Sequence, residues 1–285
     1  MNTQIKRLED KTIELTLSIP WEDIQKVYSE VVDDFVKETE LPGFRKGKAP
    51  REAVEKNLDK NKVYEEVMQR MIPKVYSEAI ETEKIHPIVM PKITLTEAKE
   101  GNPWTILAIT CERPTIDLGD YKKAVQDIKA AKQKKIWVPG QEPTKEKGEK
   151  EKKVSLDELL AAIHGVIKTT LPAILLDQEV NHLLSDLVDQ TKKLGLSVEQ
   201  YLTSTNRTAE GIKHEYEHQA ERTLTLEFAL EEIADKEGVL VSDDEIDTVI
   251  KTAKSEEEKQ SLEKQRYYLA TILRRQKTID TLANL

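Results

Sequence analysis

The chain has 285 residues, 53 acidic against 44 basic side chains, a formal net charge of −9 and 38% apolar content. That length predicts about two domains with enough apolar residues for their cores, and a single cysteine, Cys111, excludes an intrachain disulfide. No stretch approaches the roughly 18 uninterrupted apolar residues of a membrane span, and Met1 to Arg7 lacks the apolar region of an export signal, so a cytoplasmic protein with no membrane contact is expected.

From the N-terminus, Thr12 to Ile19 alternates apolar Ile13, Leu15, Leu17 and Ile19 with polar partners, the two-residue period of a half-buried strand. After Pro20 the period changes, and Ile24, Val27, Val31 and Phe35 follow helical spacing. Val63, Val67, Met71 and Val75 mark a longer helix ending near Lys84. Ile106 to Cys111 alternates again, which makes Cys111 a small buried strand residue and not a nucleophile. Together these elements predict an α+β N-terminal module.

Between the two helical patterns lies Gly43-Phe44-Arg45-Lys46-Gly47-Lys48-Ala49-Pro50. Its glycines open turn conformations closed to other residues, while Pro42 and Pro50 stiffen the ends and Pro50 suits the first turn of the next helix. Leu41 to Lys62 carries seven basic residues (Arg45, Lys46, Lys48, Arg51, Lys56, Lys60, Lys62) against Glu52, Glu55 and Asp59, a local charge of +4 in a chain whose remainder is −13. So local a basic patch fits a footprint on phosphate or on an acidic partner. Phe44 could instead fold inward as a staple.

The chain beyond Val154 reads as helical throughout. Ser155 with Glu158, Ser197 with Gln200 and Ser242 with Glu245 have capping-box spacing, and Gly195 and Gly238 are natural stops. Leu176, Val180, Leu183 and Leu187, then Leu224 and Phe228, form apolar stripes. Thr208 to Lys236 could form a helix of roughly 40 Å. Few aromatics and long helices suggest an all-α, elongated region with arm-like extensions. Asn206-Arg207-Thr208 spells a glycosylation sequon, read here only as a helix start.

The order G-F-R-K-G-K-A-P resembles the ribosome-docking signature of the trigger factor family, bacterial chaperones of the nascent-chain exit. Pro114 to Lys122 is similar to the segment closing that family's N-terminal domain, and Leu171 to Glu179 to the start of its helical domain. Gly195 to Leu202, and Ile233-Ala234-Asp235-Lys236-Glu237 through Asp244-Glu245-Ile246, are similar as well. The resemblance implies a ribosome-binding domain at 1–122 and a chaperone domain at 155–285. It also implies a ribosome-binding set of Gly43, Phe44, Arg45, Lys46, Gly47, Lys48 and Pro50. The implied partners are ribosomal protein and rRNA at the exit, with unfolded or nascent polypeptides; homodimerisation of the free molecule stays open.

The family usually carries a prolyl isomerase domain between these regions, and such a domain needs roughly a hundred residues. Only 123–154 is available, and Glu142 to Lys153 is nearly all Lys and Glu, broken by Pro143 and Gly148. A solvated charged linker is expected there, so the resemblance implies a form without the isomerase module.

Catalytic readings find little support. His214-Glu215-Tyr216-Glu217-His218 satisfies the H-E-x-x-H pattern of zinc proteases, but Glu217 charges its interior and Ile212, Tyr216 and Leu224 place both histidines on the polar side. No metal and no catalytic set are therefore expected. Gly43 and Gly47 are one residue too close for a phosphate-cradling loop, and Ala49 stands where a hydroxyl is needed, so no nucleotide or other cofactor is expected. The leading expectation is ATP-independent, ribosome-associated assistance to nascent chains. The alternatives are a ribosome-independent holdase or assembly chaperone, and a disfavoured isomerase or metalloprotease.

Overall fold

A computed structural model describes residues 2–40, 42, 44–134, 154–253 and 255–285. The chain forms two compact units, Met1–Arg113 with Pro172–Leu175, and Pro114–Leu171 with Leu176–Leu285.

In the first unit, strands β1 (Asn2–Arg7), β2 (Thr12–Ile19), β3 (Lys92–Glu97) and β4 (Trp104–Cys111) form an antiparallel sheet in the order β1-β2-β4-β3. The register sets Ile19 opposite Trp104, Leu17 opposite Ile106 and Leu15 opposite Ala108, so the alternation of both strands falls on one face. Helices α1 (Trp21–Glu38) and α3 (Lys60–Thr82) complete that core, α1 through Ile24, Val31 and Val32, α3 through Val63, Val67, Met71, Val75 and Ala79. The four-residue recurrence in α3 keeps one stripe inward. A fully buried side chain of this kind contributes roughly 1.5–3 kcal/mol. Short α2 (Arg51–Asn57) lies between them and buries Val54. Cys111 is wholly buried, and that burial pushes its thiol up to about 11, as a packing residue requires.

The second unit opens with β5 (Ile116–Asp117) and α4 (Tyr121–Lys134), which correct the reading of 123–134 as linker. Leu118, Tyr121 and Val125 are buried with Leu159, Ile163, Ala229, Leu230, Ile233 and Leu282. The many lysines of α4 hide a narrow apolar face that only tertiary packing makes sufficient. Residues 135–153 of the expected linker, with Trp137 to Gly140 and the charged run Glu142 to Lys153, lie outside the described residues.

Helix α5 (Leu156–His164), strand β6 (Lys168–Thr169), paired with β5, and helices α6 (Ala173–Lys193), α7 (Val198–Thr205) and α8 (Ala209–Lys236) follow. Helices α9 (Asp243–Lys251), α10 (Glu256–Lys264) and α11 (Arg266–Ala283) close the chain. All three expected capping boxes form in both directions, at Ser155/Glu158, Ser197/Gln200 and Ser242/Glu245. Thr208 caps α8 as read, while Phe228 is only half-buried, the core face of that helix running instead through Leu224, Ala229, Leu230 and Ile233. A satellite core of Ile246, Ile250 and Leu269 joins α9 to α11.

Candidate functional site

The basic loop is built from the end of α1. Thr39 leaves the helix in extended conformation, its amide donating to the Phe35 carbonyl at 2.8 Å. The chain then turns, with the Lys48 amide donating to the Arg45 carbonyl at 2.9 Å. Gly47 adopts φ +74°, and its amide reaches back to the Thr39 carbonyl at 3.5 Å. A Cβ at Gly47 would stand 3.1 Å from the Lys37 carbonyl oxygen, so both the left-handed backbone and the close approach favour glycine.

The return limb is anchored by small buried groups. Ala49 is 6% exposed and Val54 is fully buried. Pro50 stands one position earlier than the first turn expected of it, as the N-cap residue of α2, and its carbonyl accepts from the amides of Ala53 and Val54. Arg51 donates from Nη1 to Asp33 Oδ1 at 3.0 Å and from Nη2 to Ser29 Oγ at 2.9 Å, both on α1.

The apex is left outward. Phe44 is 44% exposed, which disfavours the inward staple, and Arg45, Lys46 and Lys48 are exposed. None of these three cations has a carboxylate within ion-pair distance among the described residues. Gly43 lies outside the described residues. Of the seven cations in the run, Arg51 is committed to α1 and Lys60 lies 3.6 Å from Glu100. Sequence spacing carried no signal for the Arg51 contacts, whose partners stand 18 and 22 positions upstream.

At the root of the loop, Asp34 takes hydrogen bonds from Lys37 and Arg70 that hold its carboxyl below the usual range. Arg70 also donates to Glu66 at 3.0 Å. These groups, with Val31, Phe35 and Glu38, line an open groove of about 490 Å³. Its cations are already paired with carboxylates, which suits bracing of α1 on α3 better than capture of an anion.

His214 and His218 stand on the exposed face of α8 with ring centroids 4.6 Å apart. Glu215, the would-be base of the H-E-x-x-H pattern, pairs with Arg207 at 3.3 Å, and Glu217 with Lys213 at 3.7 Å. Among the described residues no group of three or more His, Cys, Asp or Glu side chains is arranged to hold a metal ion, and no helix is long and apolar enough to cross a membrane.

Two family models match the chain in succession: one described as bacterial trigger factor protein (TF) over residues 1–139, and one described as bacterial trigger factor protein (TF) C-terminus over residues 141–284. The chain is 32% identical over 123 residues to the trigger factor of Pelotomaculum thermopropionicum, covering 43% of this chain and 28% of that protein. To the trigger factor of Staphylococcus epidermidis it is 33% identical over 108 residues, covering 38% and 25%. The chain thus spans only about a quarter of the length of the curated relatives it matches. Its fold is similar to a solved structure described as "Promiscuous Substrate Recognition in Folding and Assembly Activities of the Trigger Factor Chaperone", with a TM-score of 0.66, 13% identity, and coverage of 100% of this chain and 99% of that one.

Proposed function

Because the chain belongs to the bacterial trigger factor family, we propose that it is an ATP-independent chaperone that docks on the ribosome through the α1–α2 loop and shields nascent or unfolded polypeptides. The observation that carries the docking half is the apex itself: Phe44 half exposed among Arg45, Lys46 and Lys48, three cations without an intramolecular partner among the described residues, on a loop whose two limbs are pinned. Exposed unpaired cations next to an aromatic suit a surface of rRNA phosphates and protein carboxylates, and cost no internal ion pair when they bind. Gly47 and Pro50 act in this reading through the backbone, by shaping the loop.

Client shielding is assigned to the helical region, whose amphipathic helices supply apolar surface to chains of no fixed shape. The reading includes no catalysis. The two matching family models are separated by one residue, which supports direct succession of the N- and C-terminal parts without an isomerase domain between them. The cytoplasm, where ribosomes and nascent chains meet, is the compartment this function requires.

Cosedimentation with ribosomes tests the proposal. The full chain should pellet with ribosomes and less so as salt rises, and replacing Phe44, Arg45 and Lys46 together by Ala should abolish pelleting while circular dichroism stays unchanged. Equal pelleting of variant and parent would overturn the docking assignment.

A further inference from the structure

We infer that Arg51 is a positioning residue for the docking loop and not one of its contacts, an inference that rests on the docking reading. By charge and sequence position it belongs to the basic run. By geometry it faces the other way, since its guanidinium is spent on Asp33 Oδ1 at 3.0 Å and Ser29 Oγ at 2.9 Å.

Ser29 and Asp33 are four residues apart on α1, one helical turn. A planar fork that donates to both fixes not only the distance of the first residue of α2 from α1 but also its rotation. The other limb is held by the Gly47 amide on the Thr39 carbonyl. With both limbs tied to α1, the apex holding Phe44, Arg45 and Lys46 is presented from a closed base. Arg51 and Asp33 are about half exposed, at 43% and 52%. Such a pair adds little to global stability, so its loss should leave the fold intact and loosen only the loop.

Salt dependence separates the two roles, because a cation that meets phosphate releases a counterion and a cation that braces the loop does not. Ribosome pelleting of the full chain is measured across a salt series for the parent, R45A, R51A and the charge swap D33R/R51D, each checked by circular dichroism. R51A should weaken binding about three- to fivefold with the slope of log affinity against log salt unchanged, as expected for loss of one half-exposed pair. R45A should reduce that slope by about one. The swap, which rebuilds the pair with its charges reversed, should recover most of the affinity. A slope reduced in R51A as in R45A, or a folded swap that binds no better than R51A, would make Arg51 a contact and overturn the inference.

Amide hydrogen exchange off the ribosome supplies a readout that does not need docking. R51A should accelerate exchange at Gly47 and Lys48, and unchanged rates there would overturn the brace whatever the pelleting shows. If the parent chain fails to pellet, the docking reading falls, and these exchange rates alone decide the brace.

Discussion

The phenol of Tyr121 donates a 2.6 Å hydrogen bond to Oε1 of Glu237, a residue 116 positions further along the chain. The ammonium of Lys122 lies 2.8 Å from the same oxygen, and that of Lys236 lies 5.4 Å from the centroid of the Tyr121 ring. Lys122 first, and Tyr121 second, hold the Glu237 carboxyl below the usual carboxylate range; burial first, and Glu237 second, push the phenol upward. Tyr121→Phe keeps the ring and removes only the donor, so it should cost about 1.5–3 kcal/mol, the range of a hydrogen bond to a charged group. Lys122→Ala breaks a more exposed contact and should cost below about 1 kcal/mol. Urea unfolding of the two variants should rank them in that order.

The same contact moves a boundary. A fragment beginning at Ser155 lacks Leu118, Tyr121 and Val125, three of the buried residues of the second core, whereas one beginning at Pro114 keeps them. The longer fragment should melt cooperatively, as judged by helical circular dichroism, and should suppress aggregation of a denatured test protein without ATP. The shorter one should lose helicity at lower temperature, since each missing large side chain leaves a cavity worth several kcal/mol, about 2–5 for an aliphatic one. Equal melting of the two fragments would show that α4 is dispensable.

What could be read from the sequence was local. The alternation of Thr12 to Ile19, the four-residue stripe of α3 and the three capping boxes each declare themselves within a few residues, and each appears where spacing placed it. Helix α4 was misread because Lys122, Lys123, Lys129 and Lys132 outnumber its buried residues, and its partners Leu159 and Ile233 lie far along the chain. The loop apex was legible for the same reason that its base was not. Phe44 and the unpaired cations are a run of residue types, but the fixing of Gly47 to Thr39 and Arg51 to Asp33 depends on two limbs meeting in space.

Gly47→Ala should test the loop without touching any of its charges. The added methyl must occupy a left-handed backbone conformation that costs about 1–2 kcal/mol for an L side chain, and must displace the Lys37 carbonyl 3.1 Å away. Since the loop lies outside the first core and can rearrange to relieve that strain without opening it, the midpoint of thermal unfolding should shift little, while ribosome pelleting falls markedly. A normal pelleting curve would mean that the apex binds without its built conformation.

Acid should release the helix starts of the second unit in a defined window. The Lys132 ammonium first, and the Ser155 backbone amide second, hold the Glu158 carboxyl down to about 2 from its ordinary 4.5. Glu245 is lowered likewise by Lys277 and by the Ser242 amide. A carboxyl lowered on folding adds stability that is complete above its unfolded value and fades as pH falls toward the folded one. Helical signal should therefore hold down to about pH 5, and resistance to urea should decline between about pH 4.5 and 2. In the Glu158→Gln/Glu245→Gln double variant that decline should be shallower, a difference read from unfolding midpoints at pH 6 and pH 3.

The two cores differ in when they can exist during synthesis. Every buried residue of the first, from Ile13 to Ala108, is made in the first part of the chain, so that core has all of its members while the helical region is still being translated. The second joins Leu118 to Leu282 and cannot close until Leu282 itself has been translated. Each copy therefore acquires the platform for its basic loop early and completes its second core late, and until then the apolar residues of that core leave the ribosome unburied.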